Sequence, residues 1–306
     1  EHAIGPRGRL IVHIVEGDLT IRGVEGDTVK VVDRDAQGGI VVRRGPGFLE
    51  VGTAEQRPGE WGTSWGGFLA GAFTVRLGHG PRRADFDIEV PRGADLRVDV
   101  VSADVRTSGL SGRQRYKTVS GDVLVGEASG GPVQAESISG DLTIRARGRL
   151  AVQTKTLSGD VELTADEVEA LDVQTTSGET RVAATLRPGE HRINSVSGDV
   201  LLATDSGLTV AGRTISGDIG SSLPHRNEGG RGRRTLVIGD GSAHLTFRSM
   251  SGDLNVTAIA PRPSAVPPPS AERGPDPGLA ILQALERGEI DVDEAGRRLA
   301  TLEHRP

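Results

Sequence analysis

The chain contains no cysteine and only eight aromatic residues among 306. Without thiols there is no disulfide scaffold, no thiolate nucleophile and no sulfur-ligated zinc. With so few rings, a core of helices packed round aromatics is excluded; Val, Leu and Ile must carry the burial. Long apolar runs are missing too. The longest candidate, Gly66 to Phe73, has eight residues and is rich in glycine, against the ~18 a membrane-spanning helix requires. The first residues are charged and no apolar stretch follows them, so no signal peptide is read. The chain begins at Glu1 and its sole methionine is Met250, which leaves the N-terminus and the compartment open. The sequence as given favours the cytoplasm, and a preceding segment would permit the envelope or the cell surface. A net charge of −6 argues against nucleic acid as the partner. No P-loop, dinucleotide fingerprint or His-Glu-x-x-His motif occurs.

What the chain has is glycine, 44 residues, about twice the ordinary share. Many of these glycines recur in a repeat. Ser-Gly-Asp or a close variant starts at Ser102, Ser120, Ser139, Ser158, Ser177, Ser197, Ser216 and Ser251, at spacings of 18, 19, 19, 19, 20, 19 and 35. The last spacing is read as one rung plus an inserted loop, Arg226 to Arg234. Three and five residues after each Ser the positions are mostly apolar, as in Val123 and Val125 or Leu142 and Ile144, the period-two pattern of a strand with one buried face. A second alternating run precedes each turn, as in Val133-Gln-Ala135 and Leu171-Asp-Val173. From Ser120 on, two residues before each Ser stands a hydroxyl, and immediately before it a mostly apolar residue: Val119, Ile138, Leu157, Thr176, Val196, Ile215, Met250. Each repeat thus supplies two or three short strands and returns displaced by one strand spacing. The expected fold is all-β, a β-solenoid of ~19-residue rungs stacked about 4.8 Å apart.

The turn is read as a structural ladder: Gly121, Asp122; Gly140, Asp141; Gly159, Asp160; Gly178, Glu179; Gly198, Asp199; Gly217, Asp218; Gly252, Asp253. The glycines answer either a positive φ or a close approach of rungs, and the short carboxylates accept backbone amides at the turn. Calcium binding by the acidic row is the competing reading, though the glycine-aspartate nonapeptide of calcium-loaded β-rolls is absent. A serine nucleophile is rejected, because every Ser is one of a set and the histidines do not cluster in sequence. His191 occupies a strand position held elsewhere by Val133 and Leu171, so it reads as a structural imidazole. The chain is expected to be no enzyme and to need no cofactor or metal.

Residues 1–260 form the expected solenoid: degenerate N-terminal rungs over 1–45, a glycine- and aromatic-rich insertion over 46–80, and regular rungs over 81–260. Glu16-Gly-Asp18 and Glu25-Gly-Asp27 are read as degenerate turns. The insertion holds Phe48, Trp61, Trp65, Phe68 and Phe73. It is read as a loop capping the solenoid or, with Trp61, Trp65, Phe68 and Phe73 exposed, as a surface for a partner or a membrane. A proline-rich linker covers 261–278. Residues 279–304 read as a helical hairpin ending its first helix at Gly288, its apolar seam including Leu282, Leu285 and Leu299. So small a unit buries too little to stand alone, which points to self-association or a protein partner.

The run IEVPRGADLRVDVVSADV followed by iterated SGDV and SGDL turns resembles the DUF4097 family of adhesin-like β-strand repeat proteins, over roughly residues 10 to 260. The tail LAILQALERGEIDVDEAGRRLATLE is similar to short C-terminal helical hairpins of the SHOCT type. The resemblance implies a right-handed parallel β-helix without enzymatic activity, and it carries over no functional residues. The function expected is a bacterial scaffold or binding module, oligomerised or recruited through its hairpin. The alternatives are a surface adhesin binding glycan or protein and, more remotely, a polysaccharide-active β-helix enzyme.

Overall fold

Alternating inward and outward positions make this chain strand after strand. The computed structural model describes residues 1–34, 40–53, 83–228 and 234–259, and among them every regular element is a β-strand. Residues 1–259 form a unit of their own. The expected helical hairpin and proline-rich linker lie outside the described residues.

Most strands pair in parallel with their counterparts one repeat away. Val133–Ser137 lies between Gln114–Thr118 and Arg149–Ser158, with Val133 opposite Gln114 and Val152. Leu142–Ala146 lies in the same way between Val123–Ala128 and the first part of Val161–Ser177. Two parallel ladders result, one of strands that precede each Ser-Gly-Asp turn and one of strands that follow it. This is a β-solenoid-like arrangement, in which a repeat satisfies its backbone only through its neighbours.

The inward positions are those the period predicts. Val123, Val125, Leu142, Ile144, Val161, Leu163, Val200, Leu202, Leu254 and Val256 are buried from the second ladder, and Val133, Ala135, Leu171, Val173, Leu245 and Phe247 from the first. Each Val, Leu, Ile or Phe among them contributes roughly 1.5–3 kcal/mol by leaving water. Polar groups inside are bonded to one another where the chain permits: Tyr116 donates to Gln114 Oε1 at 2.7 Å and lies 2.8 Å from Thr107 Oγ1. Burial raises the Tyr116 pKa well above its usual value, so the ring stays a neutral donor.

At the N-terminal end, Arg9–Val24 runs through both ladders and pairs with Asp95–Ser108 from Arg9 opposite Asp95 to Arg22 opposite Ser108. A further level is assembled from two separate strands, Phe48–Thr53 and Phe86–Pro91. Antiparallel strands then cover the edge: Ile40–Gly45 on Phe48–Thr53, Thr28–Asp33 on Phe86–Pro91, and His2–Ala3 on Thr28–Asp33. Antiparallel cover of this kind keeps a parallel ladder from offering a bare edge.

Three expectations change here. Phe48 opens a ladder strand and so does not belong to a register-free insertion. Glu25-Gly26-Asp27 is not a rung turn: a Cβ on Gly26 would meet nothing within 4 Å, and the Asp27 carbonyl instead accepts the amides of Ile4 and Gly5. The third concerns the order of the last rungs. Ala243–Ser251 pairs with Gly189–Ser197 on one side and Leu208–Ser216 on the other, and Leu254–Thr257 lies likewise between Val200–Ala203 and Ile219–Ser221. The rung of Ser251 therefore sits inside the rung of Ser216. The presumed inserted loop is the route back: His225–Glu228 and Arg234–Ile238 form an antiparallel hairpin on Leu208–Ser216. It covers the outer edge while the chain returns to fill the level it had passed over.

Candidate functional site

The glycines of the turn are there chiefly because successive rungs touch. A Cβ on Gly140 would stand 2.2 Å from the Gly121 carbonyl oxygen, on Gly159 2.4 Å from that of Gly140, and on Gly198 2.1 Å from that of Gly178. The contact continues across the reordered end, Gly252 meeting Gly198 and Gly217 meeting Gly252, each at 2.3 Å. Gly121, Gly140 and Gly159 are held by this contact alone; Gly198 and Gly252 also take φ of 144° and 152°, values that an L side chain resists.

The carboxylates form a directional ladder. The amides of Asp122, Asp141, Asp160 and Glu179 donate to the carboxylates of Asp104, Asp122, Asp141 and Asp160 at 2.8–3.1 Å. Asp253 donates to Asp199 and Asp218 to Asp253. At the opposite end Asp18 donates to Asp85 at 2.8 Å, so Arg83-Ala84-Asp85 serves as the turn of the split level. Asp218, at the far end, faces Arg234 at 3.5 Å instead. Each acceptor oxygen thus meets a backbone donor, which offsets part of the repulsion within an acidic row. Among the described residues, no group of three or more His, Asp or Glu is placed to hold a metal ion.

From Ser120 on, the hydroxyls two residues before each Ser point inward. Thr118 Oγ1 accepts the Gly121 amide at 2.9 Å and donates to its carbonyl at 3.0 Å, and Ser137 Oγ accepts the Gly140 amide at 2.8 Å. A buried hydroxyl closing its own turn is not poised to attack a substrate. Three of the described histidines are engaged with backbone elsewhere. His2, His191 and His225 bond the carbonyls of Gly45, Arg187 and Leu223, and His191 is 1% exposed.

Chemistry of another kind lies on the outer face of the first ladder, where every third residue before the turn falls in one row. His13, Asp99, Lys117, Glu136 and Lys155 follow one another in register. His13 Nδ1 lies 3.3 Å from Asp99, and its Nε2 lies 3.7 Å from Glu50. Arg97 donates to Asp99 at 2.7 Å, and Lys117 and Arg115 reach Glu136 at 3.5 and 3.4 Å. Burial pulls the His13 pKa below its usual value, against the pull of Asp99 and Glu50; burial likewise lowers Lys117, against Glu136. Histidines sought as neighbours in sequence miss this cluster. Parity finds it: His13 precedes Glu16 by three, as Asp99 precedes Ser102. Beside the row, an open groove of about 360 Å³ is lined by Gln134, Gln153, Asp172, Glu190 and Arg192, with Gln134 donating to Gln153 at 3.2 Å.

The row immediately before the turn also faces outward, and it is apolar. Leu157, Val196, Met250 and Ile215 are 37%, 43%, 56% and 79% exposed. The hydroxyl at one position is buried and the aliphatic at the next is not, because the inward parity of the preceding run continues to the corner. Trp61, Trp65, Phe68 and Phe73, and Leu282, Leu285 and Leu299, lie outside the described residues.

This repeat geometry has a counterpart among known families. The family described as Toastrack DUF4097 matches residues 66–257, more than half of the chain. The chain belongs to the Toastrack DUF4097 family. No curated protein matches this Toastrack chain. Two solved structures are similar to it at low identity. One is a putative adhesin from Bacteroides fragilis NCTC 9343, 12% identical, covering 83% of this chain and 93% of its own with a TM-score of 0.38. The other is a putative cell adhesion protein from Clostridium sporogenes ATCC 15579, 11% identical over the same shares, with a TM-score of 0.21.

Proposed function

We propose that this Toastrack chain is a non-enzymatic binding module, a right-handed parallel β-helix of ~19-residue rungs that works as a scaffold and is oligomerised or recruited through a C-terminal helical hairpin over 279–304. The observation that carries the reading is the assignment of the conspicuous polar columns. The turn carboxylates accept the amides of the next rung and hydroxyls of the row before them close their own turns, which favours architecture over catalysis. What remains for function is the outer face, with its charged row, its groove and its apolar row. Surface adhesion is the second reading, favoured by the length of that face.

The test has two arms. Deleting residues 261–306 is expected to leave the β-sheet signal and melting temperature of the remainder intact while lowering its mass in light scattering; an unchanged mass would remove the hairpin from the proposal. Fractionation and protease shaving of intact cells separate the two readings, since a protease-protected protein supports the scaffold and a shaved one the adhesin. Turnover of uronate polymers by the purified chain would overturn both.

A further inference from the structure

The exposed apolar row is flanked differently on its two sides. Along the first ladder it runs Val101, Val119, Ile138, Leu157, Thr176, Val196, Met250 and Ile215, in the spatial order set by the pairing. Exposure rises to 56% at Met250 and 79% at Ile215. Two residues to one side lies the row that ends in Asn194, Arg248 and Arg213, in register with one another. On the other side, past the serines, lies the acidic turn row ending in Asp199, Asp253 and Asp218. Arg248, Arg213, Asp199, Asp253 and Asp218 are all exposed. At its most exposed end the apolar strip has cations along one border and carboxylates along the other, and further back the first border is the mixed row of Lys155, Glu136, Lys117 and Asp99; contiguous apolar surface so framed marks a contact site.

We infer that this strip is the contact surface for a second copy of the chain, the two copies lying side by side in the same direction about a two-fold axis parallel to the strip. Charge selects both the partner and its orientation. In an isologous pair each copy presents the same patch. With the axis along the strip, this border of one copy falls on the acidic border of the other, so that at the two most exposed levels Arg248 and Arg213 approach the partner row of Asp199, Asp253 and Asp218, while only the levels of Asp99 and Glu136 bring like charges together. With the axis across the strip, the copies run in opposite directions and the acidic turn row of one copy meets that of the other, which electrostatic complementarity disfavours. A second copy supplies the required mirror order of charges without any further assumption. The size is also suitable: eight levels at about 4.8 Å span roughly 35 Å, and a width of ~20 Å with the borders gives about 700 Å², near the ~800 Å² per partner of a standard stable interface.

This contact does not depend on the C-terminal hairpin, and the test keeps the two apart. The chain has no cysteine, so a single introduced thiol reports its own proximity to a copy. In the full-length chain, Leu157→Cys and Ile215→Cys lie at different levels of the strip, and under a copper–phenanthroline oxidant both are expected to form disulfide-linked dimers. Each residue on a strip parallel to the axis meets its own counterpart. Glu162→Cys, exposed on the second ladder, serves as the collision control and is expected to react at least about a hundredfold more slowly at micromolar protein, given millimolar effective concentrations within an assembled pair. Adding Met250→Glu to either strip variant should abolish the excess, with an unchanged circular dichroism melt confirming the fold. Cross-linking at only one level would overturn the parallel arrangement, and rates equal to the control at both levels would overturn the contact itself. A dimer held only by the hairpin would give that second result while keeping its mass in light scattering.

Discussion

The amide of Asp253 donates to the carboxylate of Asp199, 54 positions earlier in the chain, at 2.9 Å, while the Asp253 carboxylate accepts the amide of Asp218 at 2.7 Å. The last described rung is thus held from both sides by rungs made before it. Until Ala243–Thr257 is in place, the rung of Ser216 has no parallel neighbour and the rung of Ser197 has an open edge. Such long-range closure is late in folding, because loop entropy is lost before contacts compensate it.

Phe247 is the largest side chain this closing rung inserts, and it is fully buried. Phe247→Ala is expected to destabilise the chain by about 3–5 kcal/mol. Hydrogen exchange should show lost protection first in residues 189–221, on both sides of the rung, rather than along the whole ladder, since stability in stacked repeats is a sum over neighbours. Uniform loss down to Arg9 would contradict that local account.

Much of this architecture is legible in the sequence, and the exceptions have physical reasons. The spacing of Ser139, Ser158 and Ser177 sets both rung length and register, and parity places Leu142 and Ile144 inside. Continued through Ala135, the same parity puts Ser137 inside and Ile138 outside, so the outward row could have been read but is masked by the habit of burying aliphatics. The order of the last rungs could not: a spacing of 35 between Ser216 and Ser251 fits either level, because both orders satisfy the same register. What distinguishes them is the His225–Glu228 and Arg234–Ile238 hairpin turning back on Leu208–Ser216, whose first strand is wholly polar and whose second, with Leu236 and Ile238 inward, looks like any other rung strand. Glu25-Gly26-Asp27 shows the converse, a matching tripeptide with no rung beside it.

The two kinds of glycine can be told apart by alanine. Gly159→Ala places a methyl 2.4 Å from the Gly140 carbonyl oxygen, and backbone on both sides must shift, at a cost of about 1–3 kcal/mol. Gly220→Ala meets nothing within 4 Å and is expected to stay within about 0.5 kcal/mol of the parent. Urea midpoints with unchanged slopes would measure both. Equal effects would mean that chain flexibility, not contact between rungs, explains the glycines.

The acidic ladder predicts a contrast between two substitutions of one residue. Asp160 Oδ1 accepts the Glu179 amide at 2.8 Å. Asp160→Asn keeps an oxygen there and relieves repulsion in the row, so its effect should be small. Asp160→Ala removes the acceptor and should cost about 0.5–1.5 kcal/mol. Millimolar calcium or a chelator should leave the melting temperature of the parent unchanged. A calcium-dependent rise abolished by Asp160→Asn would reassign the ladder as a cation site.

His13 gives the N-terminal levels a dependence on acidity whose sign follows from burial. Its side chain is 12% exposed, between Glu50 and Asp99, with Arg97 on the same Asp99 carboxylate. Burial holds its pKa below the usual 6.5 despite both acids. The unfolded chain therefore binds the proton more readily than the folded one, and stability rises with pH through this window. The contribution is complete above about pH 6.5 and is lost as pH falls towards the folded value, by at most about 1.4 kcal/mol at pH 5.5 for one such group. His13→Gln removes the titration while keeping a polar side chain at the same place. Urea midpoints at pH 7.5 and 5.5 should then draw closer together in the variant than in the parent, because His13 is the one group that differs between them. An identical gap would mean that His13 takes its proton in the folded chain as readily as in water, with Asp99 and Glu50 fully offsetting burial.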